Sequence, residues 1–222
     1  INAGNGSRTV NHFTEDHAAL TGAREVVIKN ELKPERSYNI NLNFVKKIYG
    51  ESSWLNLDFS AWYTHFTNRI LPDYTTNVNQ IIYDNLRGYS ISKGISLNTE
   101  FGFTNSLRGH WGLTLQDVNL VDKSGSLKVV ERQLLTERWS SSWSLSYSLP
   151  SVGLSVDYTG NMYGSMLLPL LSDTDPRSPR SPAYSLHNIQ VTKKWKSNWE
   201  LYAGVKNIFN WTPAKSTPFL IA

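Results

Sequence analysis

Apolar and polar residues alternate strictly along most of this chain. From Tyr38 to Val45, Ile40, Leu42 and Phe44 share one face and Asn39, Asn41 and Asn43 the other. From Trp54 to Tyr63, Leu55, Leu57, Phe59, Ala61 and Tyr63 oppose Asn56, Asp58, Ser60 and Trp62. Ile95, Leu97, Phe101 and Phe103 oppose Ser96, Asn98, Glu100 and Gly102, and Trp111, Leu113 and Leu115 oppose Gly112, Thr114 and Gln116. The second half repeats the scheme at Trp143–Leu149, at Val152–Tyr158, at Ile189–Trp195 and at Trp199–Val205. A period of two is the signature of a β-strand with two unlike faces, and these eight segments predict eight such strands.

The links between them alternate in length. "YGESS" (49–53), "TNSLR" (104–108), "LPSVG" (149–153) and "WKSN" (195–198) are short turns. Between these lie long links at 67–90, 119–138 and 161–183, and another from Asn210 onward. Greek-key sandwiches have no reason to keep that order. An up-and-down antiparallel barrel, with turns at one rim and loops at the other, does.

The polar faces are built from Ser, Asn, Gly and Thr, with occasional Asp58, Glu100 or Asp157. A surface meeting bulk water normally carries more Lys and Glu, so these faces suit the lining of a polar lumen. The ordinary soluble barrel, apolar inside and polar outside, is the competing arrangement. Aromatics decide between them: Tyr49, Trp54, Phe103, Trp111, Tyr147, Trp195 and Trp199 gather at the short turns. Amphipathic rings at one end of each hairpin form the girdle expected at a membrane–water boundary. The fold class is therefore all-β, an antiparallel up-and-down transmembrane barrel segment of about eight to ten strands.

Composition then narrows the function. Charged residues make up 18% of the chain, aromatics 12%, and there is no Cys, which excludes disulfides and thiolate metal sites. A net charge of +4 without a basic run argues against nucleic-acid binding. Mean hydropathy is −0.37, and no run approaches the ~18 apolar residues of a spanning helix. A membrane barrel, apolar on alternate residues only, averages out as polar in this way. "INAGNGSRTV" lacks the charged and apolar regions of a signal peptide.

Two stretches carry a resemblance. "ELKPERSYNINLNFVKK" (31–47) and "LYAGVKNIFN" (201–210), with "NMYGSMLLPLLSD" (161–173) and "YSLHNIQVTKKW" between them, resemble late barrel strands of TonB-dependent outer-membrane receptors of the Bacteroidetes type. The resemblance covers residues 31–213. It implies a plugged barrel of roughly 22 strands in a Gram-negative outer membrane, with periplasmic turns and extracellular loops. Such a receptor takes up siderophore-iron, haem, cobalamin or oligosaccharide, energised by the TonB complex through the plug. Its implied partners are outer-membrane lipid, the remainder of its own barrel, the plug, and a surface lipoprotein. It implies no cofactor and no enzymatic activity.

On this reading, 1–35 is a loop with a partial strand that needs an upstream partner, 36–210 holds four hairpins, and 211–222 starts a truncated extracellular loop. No plug domain, TonB-contacting box or closing aromatic strand is expected within the chain. A passive porin and a secreted carbohydrate-binding β-sandwich are the alternatives.

The expected ligand contacts lie in the long links. Met162, Tyr163, Met166, Leu167 and Leu168 form an apolar run that either grips an apolar cargo or packs against neighbouring loops. Arg177 and Arg180 suit an anionic ligand, a lipopolysaccharide phosphate, or simple solvation. Tyr74 and Tyr83 offer rings for stacking. His12, Glu15, Asp16 and His17 lie close together but match no metal-ligand spacing. His65, His110 and His187 stand apart in sequence, so no catalytic site is expected.

Overall fold

A computed structural model describes residues 1–9, 25–29, 31–73, 76–77, 79–104, 106–123, 125, 127–168, 178–196 and 198–212. The described elements are all strands. In chain order they are β1 (Asn2–Arg8), β2 (Glu25–Ile28), β3 (Glu35–Tyr49), β4 (Ser53–Thr67), β5 (Ile70–Asp73), β6 (Gln80–Asn85) and β7 (Gly88–Phe103). They continue with β8 (Leu107–Asp122), β9 (Val129–Arg132), β10 (Trp139–Leu149), β11 (Leu154–Tyr163), β12 (Tyr184–Lys194) and β13 (Glu200–Val205).

Ten of these strands make one antiparallel sheet in the order β1-β3-β4-β7-β8-β10-β11-β12-β13, with β9 paired to β8. All eight expected strands are present, and all but the last extend by several residues toward the long links. The hairpins β3–β4, β7–β8, β10–β11 and β12–β13 have short turns. In the third turn Gly153 takes φ +64, where an added Cβ would meet the Lys194 carbonyl oxygen at 2.3 Å. That position requires glycine.

Unbroken register keeps the two faces distinct across the sheet. One row of direct partners runs Phe44, Phe59, Leu97 and Leu113. The neighbouring row on the opposite face runs Asn43, Ser60, Ser96, Thr114 and Ser140. Followed further, that second row reaches Tyr163 and then Tyr184, the first residue of β12. A row that starts in the middle of β3 thus ends at the long-link end of β12. This stagger is what tilted strands in a barrel wall produce.

The apolar face is not covered by protein. Phe44 is 61% exposed, Ile40 50% and Leu115 44%. Among the described residues, the buried apolar side chains are Ile70, Tyr83, Val118, Val121, Met166 and Leu168, all toward the long links. The polar face carries its own lateral bonds. Asn43 Nδ2 donates to Ser60 Oγ at 2.7 Å, Ser60 Oγ to Asp58 Oδ1 at 3.3 Å, and Asn56 Nδ2 to Glu100 Oε2 at 3.4 Å.

At the beginning of the chain, β1 pairs along one edge with β3, downstream of it. Residues 25–28 form β2, which runs parallel to β6 in a second, three-stranded sheet of order β2-β6-β5. That sheet lies within the long links, where period two is too brief to read from sequence.

Candidate functional site

The long-link rim is where side chains of different links converge. At the top of β4 and β7, on the polar face, Arg69 Nη1 donates to Ser90 Oγ at 2.6 Å. Ser90 is fully buried, and the Arg69 guanidinium lies 4.9 Å from the centre of the Phe66 ring. Burial holds Arg69 below the usual arginine range; Glu35 opposes that shift and Arg8 adds to it. Glu35 Oε2 accepts from the Ile70 backbone N–H at 3.1 Å and lies 3.6 Å from Arg8 Nη2. The cluster ties β1, β3, β4 and β7 to the start of the first long link.

In the third long link the chain doubles back on itself. Leu167 bridges to Arg180, the Leu168 N–H donates to the Pro179 carbonyl at 3.1 Å, and the Ser181 N–H to the Met166 carbonyl at 2.9 Å. The Met166 N–H donates to Ser181 Oγ at 3.0 Å, and Leu135 N–H reaches across to the Leu167 carbonyl at 2.8 Å. Met166 and Leu168 are both buried in this fold-back.

A third group closes the rim beside β12. Tyr163 and Tyr184 face each other with centroids 5.2 Å apart, and Trp211 stacks on Tyr184 at 4.0 Å and 7°. Asn207 holds Trp211 there: its Nδ2 donates to the Trp211 carbonyl at 2.7 Å and its Oδ1 accepts from the Trp211 N–H at 3.1 Å. Asn207 itself takes φ 51, a left-handed conformation that asparagine tolerates better than most residues. The "KN" after the last strand is thus a clamp that turns the chain across the rim.

The expected contact residues distribute as follows. Tyr74 and Arg177, together with His12, Glu15, Asp16 and His17, lie outside the described residues. Tyr83, expected as a ring for stacking, and Met166, expected either to grip cargo or to pack against neighbouring loops, are buried, 7% and 8% exposed. Leu168 is likewise buried, Met162 lies on the apolar face of β11, and Tyr163 belongs to the aromatic stack. Arg180 is exposed.

The girdle is corrected at one hairpin. Phe103, Trp111, Tyr147, Trp195 and Trp199 share the apolar face by register or alternation. Tyr49 and Trp54 do not: they pair with each other on the polar face, in the row containing Gly102. Trp54 covers Gly102, filling the space that a side chain there would take.

Sequence reading missed three features that depend on non-local pairing. His187 is not isolated: its Nδ1 lies 2.5 Å from Tyr158 Oη, and its ring packs against Trp143 and, edge-on, Phe209. His65 stacks on Tyr89 at 5.1 Å. Arg132 has two buried guanidinium nitrogens, Nε and Nη1, with no hydrogen-bond acceptor. Its pKa is lowered by burial first and then by Arg138, against Asp117, with smaller opposing effects from Arg180 and Glu137. No group of three His, Asp or Glu suited to a metal occurs among the described residues.

Comparison with known proteins adds to this geometry. The sequence profile described as "TonB dependent receptor-like, beta-barrel" matches residues 2–208. A search of curated proteins by sequence gives no match. Among solved structures, the copper transporter OprC superposes with TM-score 0.66 at 13% identity, over 94% of this chain and 31% of that one. The FrpB iron transporter from Neisseria meningitidis superposes at 0.64 and 15% identity, over 94% and 32% of the two chains. The ferripyoverdine receptor of Pseudomonas aeruginosa does so at 0.60 and 18%, over 82% and 24%. The chain spans less than a third of the length of each of these three proteins.

Proposed function

Because this chain belongs to the TonB-dependent receptor-like β-barrel family, we propose that it supplies part of the barrel wall of a receptor for active nutrient uptake. Members of the family reside in the outer membrane of Gram-negative bacteria. One observation carries the reading. A continuous sheet keeps an uncovered apolar face and a hydrogen-bonded polar face in register across nine adjacent strands, with all long links at one rim.

The apolar face meets lipid and the polar face meets a plug and a watery lumen. In that setting Lys206, next in alternation after Gly204 on the polar face, carries its charge at little cost. The outer strands β1 and β13 are not paired with each other among the described residues, and lipid does not tolerate open strand edges. Further strands of the complete receptor cover them. The long links form the extracellular rim, where Arg180 and the Tyr163–Tyr184–Trp211 stack are the groups placed to touch cargo. The role is transport rather than catalysis.

Energy coupling separates this reading from a passive pore. Cells producing the complete protein are offered labelled ferric siderophore, haem, cobalamin and oligosaccharide. Uptake of one of them is expected to stop when TonB is deleted or the proton gradient is collapsed. Uptake that continues unchanged under both treatments identifies a diffusion channel instead.

A further inference from the structure

On the polar face, one row of partners holds a hollow. Trp62 on β4, Gly94 on β7 and Gln116 on β8 are partners in turn, and the Gln116 N–H donates to the Arg138 carbonyl at 2.8 Å, one residue before β10. These four residues line a hollow of about 460 Å³, within the size range of small-molecule sites. The residues beside Gly94 and Gln116 line it too; their side chains alternate onto the other face, so they add main chain to its floor. The Trp62 ring lies over Gly94, in space that a side chain there would take. An indole thus walls the hollow on one side and Arg138 on the other.

The two walls offer different chemistry. Arg138 is exposed, and among the described residues its guanidinium makes no hydrogen bond and no ion pair. The neighbouring acid, Glu137, is turned to Gln116: its Oε1 and its carbonyl both accept from Gln116 Nε2, at 3.3 and 3.1 Å. These bonds, with that from the Gln116 N–H, hold the backbone under Arg138 while its fork of donors stays open. Such a fork matches a carboxylate through two parallel hydrogen bonds, and an indole matches a flat ring.

Height makes the hollow reachable from outside. Gly94 is nine positions from Phe103, the short-turn end of β7. At ~3.3 Å per residue and a tilt of ~40°, that is about 23 Å above the turn, in the outer part of the lumen below the long links.

We propose that this hollow binds an aromatic carboxylate, its ring against Trp62 and its carboxylate on the Arg138 fork. Neither an aliphatic acid nor a free phosphate uses both walls. The inference rests on the reading that the polar face lines the lumen.

The complete receptor in detergent is titrated with para-fluorobenzoate, and binding is followed by fluorine NMR. Saturable binding is expected for the wild type. Arg138→Gln is expected to weaken it by about tenfold to a hundredfold, and Trp62→Leu by about twofold to tenfold, while Trp62→Phe keeps it. Arg138 is exposed and has no partner to lose, so its variant stays informative even if a Trp62 variant fails to fold. Equal binding by the wild type and Arg138→Gln overturns the proposal, as does equal binding of para-fluorobenzyl alcohol. Displacement by cyclohexanecarboxylate or inorganic phosphate as effective as that by benzoate also overturns it. A wild type without saturable binding overturns it too and leaves the hollow to the plug. That result beside intact TonB-dependent uptake removes the site alone; uptake indifferent to TonB removes the receptor reading whatever the titration gives.

Discussion

Trp62 on β4 lies against its direct partner Gly94 on β7, where an added Cβ would meet Trp62 Cζ2 at 2.4 Å and the Leu115 carbonyl oxygen at 2.5 Å. The same relation recurs at Trp54 and Gly102, Phe101 and Gly109, and Trp143 and Gly160. An aromatic ring laid over a glycine on the adjacent strand holds register, because a slip of one residue moves the ring onto the other face. These pairs differ in what would have to move. At Gly102 the obstacle is the Trp54 side chain, and at Gly94 a backbone carbonyl stands in the way as well.

Gly94→Ala is therefore expected to destabilise the full receptor by about 1–3 kcal/mol, within the range of overpacked sites. Gly102→Ala is expected to be milder, since Trp54 can rotate. The temperature at which the folded band disappears in semi-native electrophoresis checks the order. Equal shifts for both would contradict it.

Removing the Arg69–Ser90 hydrogen bond leaves the fully buried Ser90 hydroxyl without that donor. Arg69→Met is expected to weaken the rim by about 1–3 kcal/mol. The expected sign is faster cleavage of the 67–90 link by external protease, with the barrel wall intact.

Asp84 gives the second sheet a pH dependence. Burial raises its pKa, but the hydrogen bond from Lys29 and then the Asn85 N–H and nearby positive charge outweigh this, so the net shift is downward. A carboxyl group lowered on folding stabilises above its unfolded value, ~3.9, and that contribution disappears as pH falls through the lower folded value. Backbone amides of β2 and β6 should lose exchange protection in that acid window. In Asp84→Asn their protection should already be reduced at neutral pH and should lack this acid step.

Lipid-borne bromine quenches tryptophans by proximity. Single-tryptophan receptors retaining Trp111, Trp143 or Trp199 are expected to be quenched strongly, and those retaining Trp54 or Trp62 only weakly. Strong quenching of Trp62 would invert the assignment of the faces.

Asn207→Ala removes both side-chain bonds that hold Trp211 on Tyr184. It also places alanine at φ 51. A loss of about 1–3 kcal/mol is expected, read as lower thermal stability together with altered near-ultraviolet dichroism. Asn207→Asp, which loses one of the two bonds, should fall between.

The sequence by itself determined the strands, their faces and the alternation of turns and links. Each follows from local rules, since period two needs only neighbours along the chain. Ile40, Leu42 and Phe44 could be placed on the lipid side with no knowledge of their partners. Only the tertiary structure decided how the links fold. β2 pairs in parallel with β6, 55 residues away at Glu25 and Gln80, and such pairing leaves no periodic trace. Trp54 shows the boundary between the two kinds of knowledge. Its place beside a turn suggested a membrane girdle, but register set it on the polar face over Gly102. For Met166 and Leu168 the sequence left open whether they grip cargo or pack against neighbouring loops, and the structure buries both beside the fold-back through Ser181. Burial is a property of what arrives from elsewhere in the chain, and no local pattern records it.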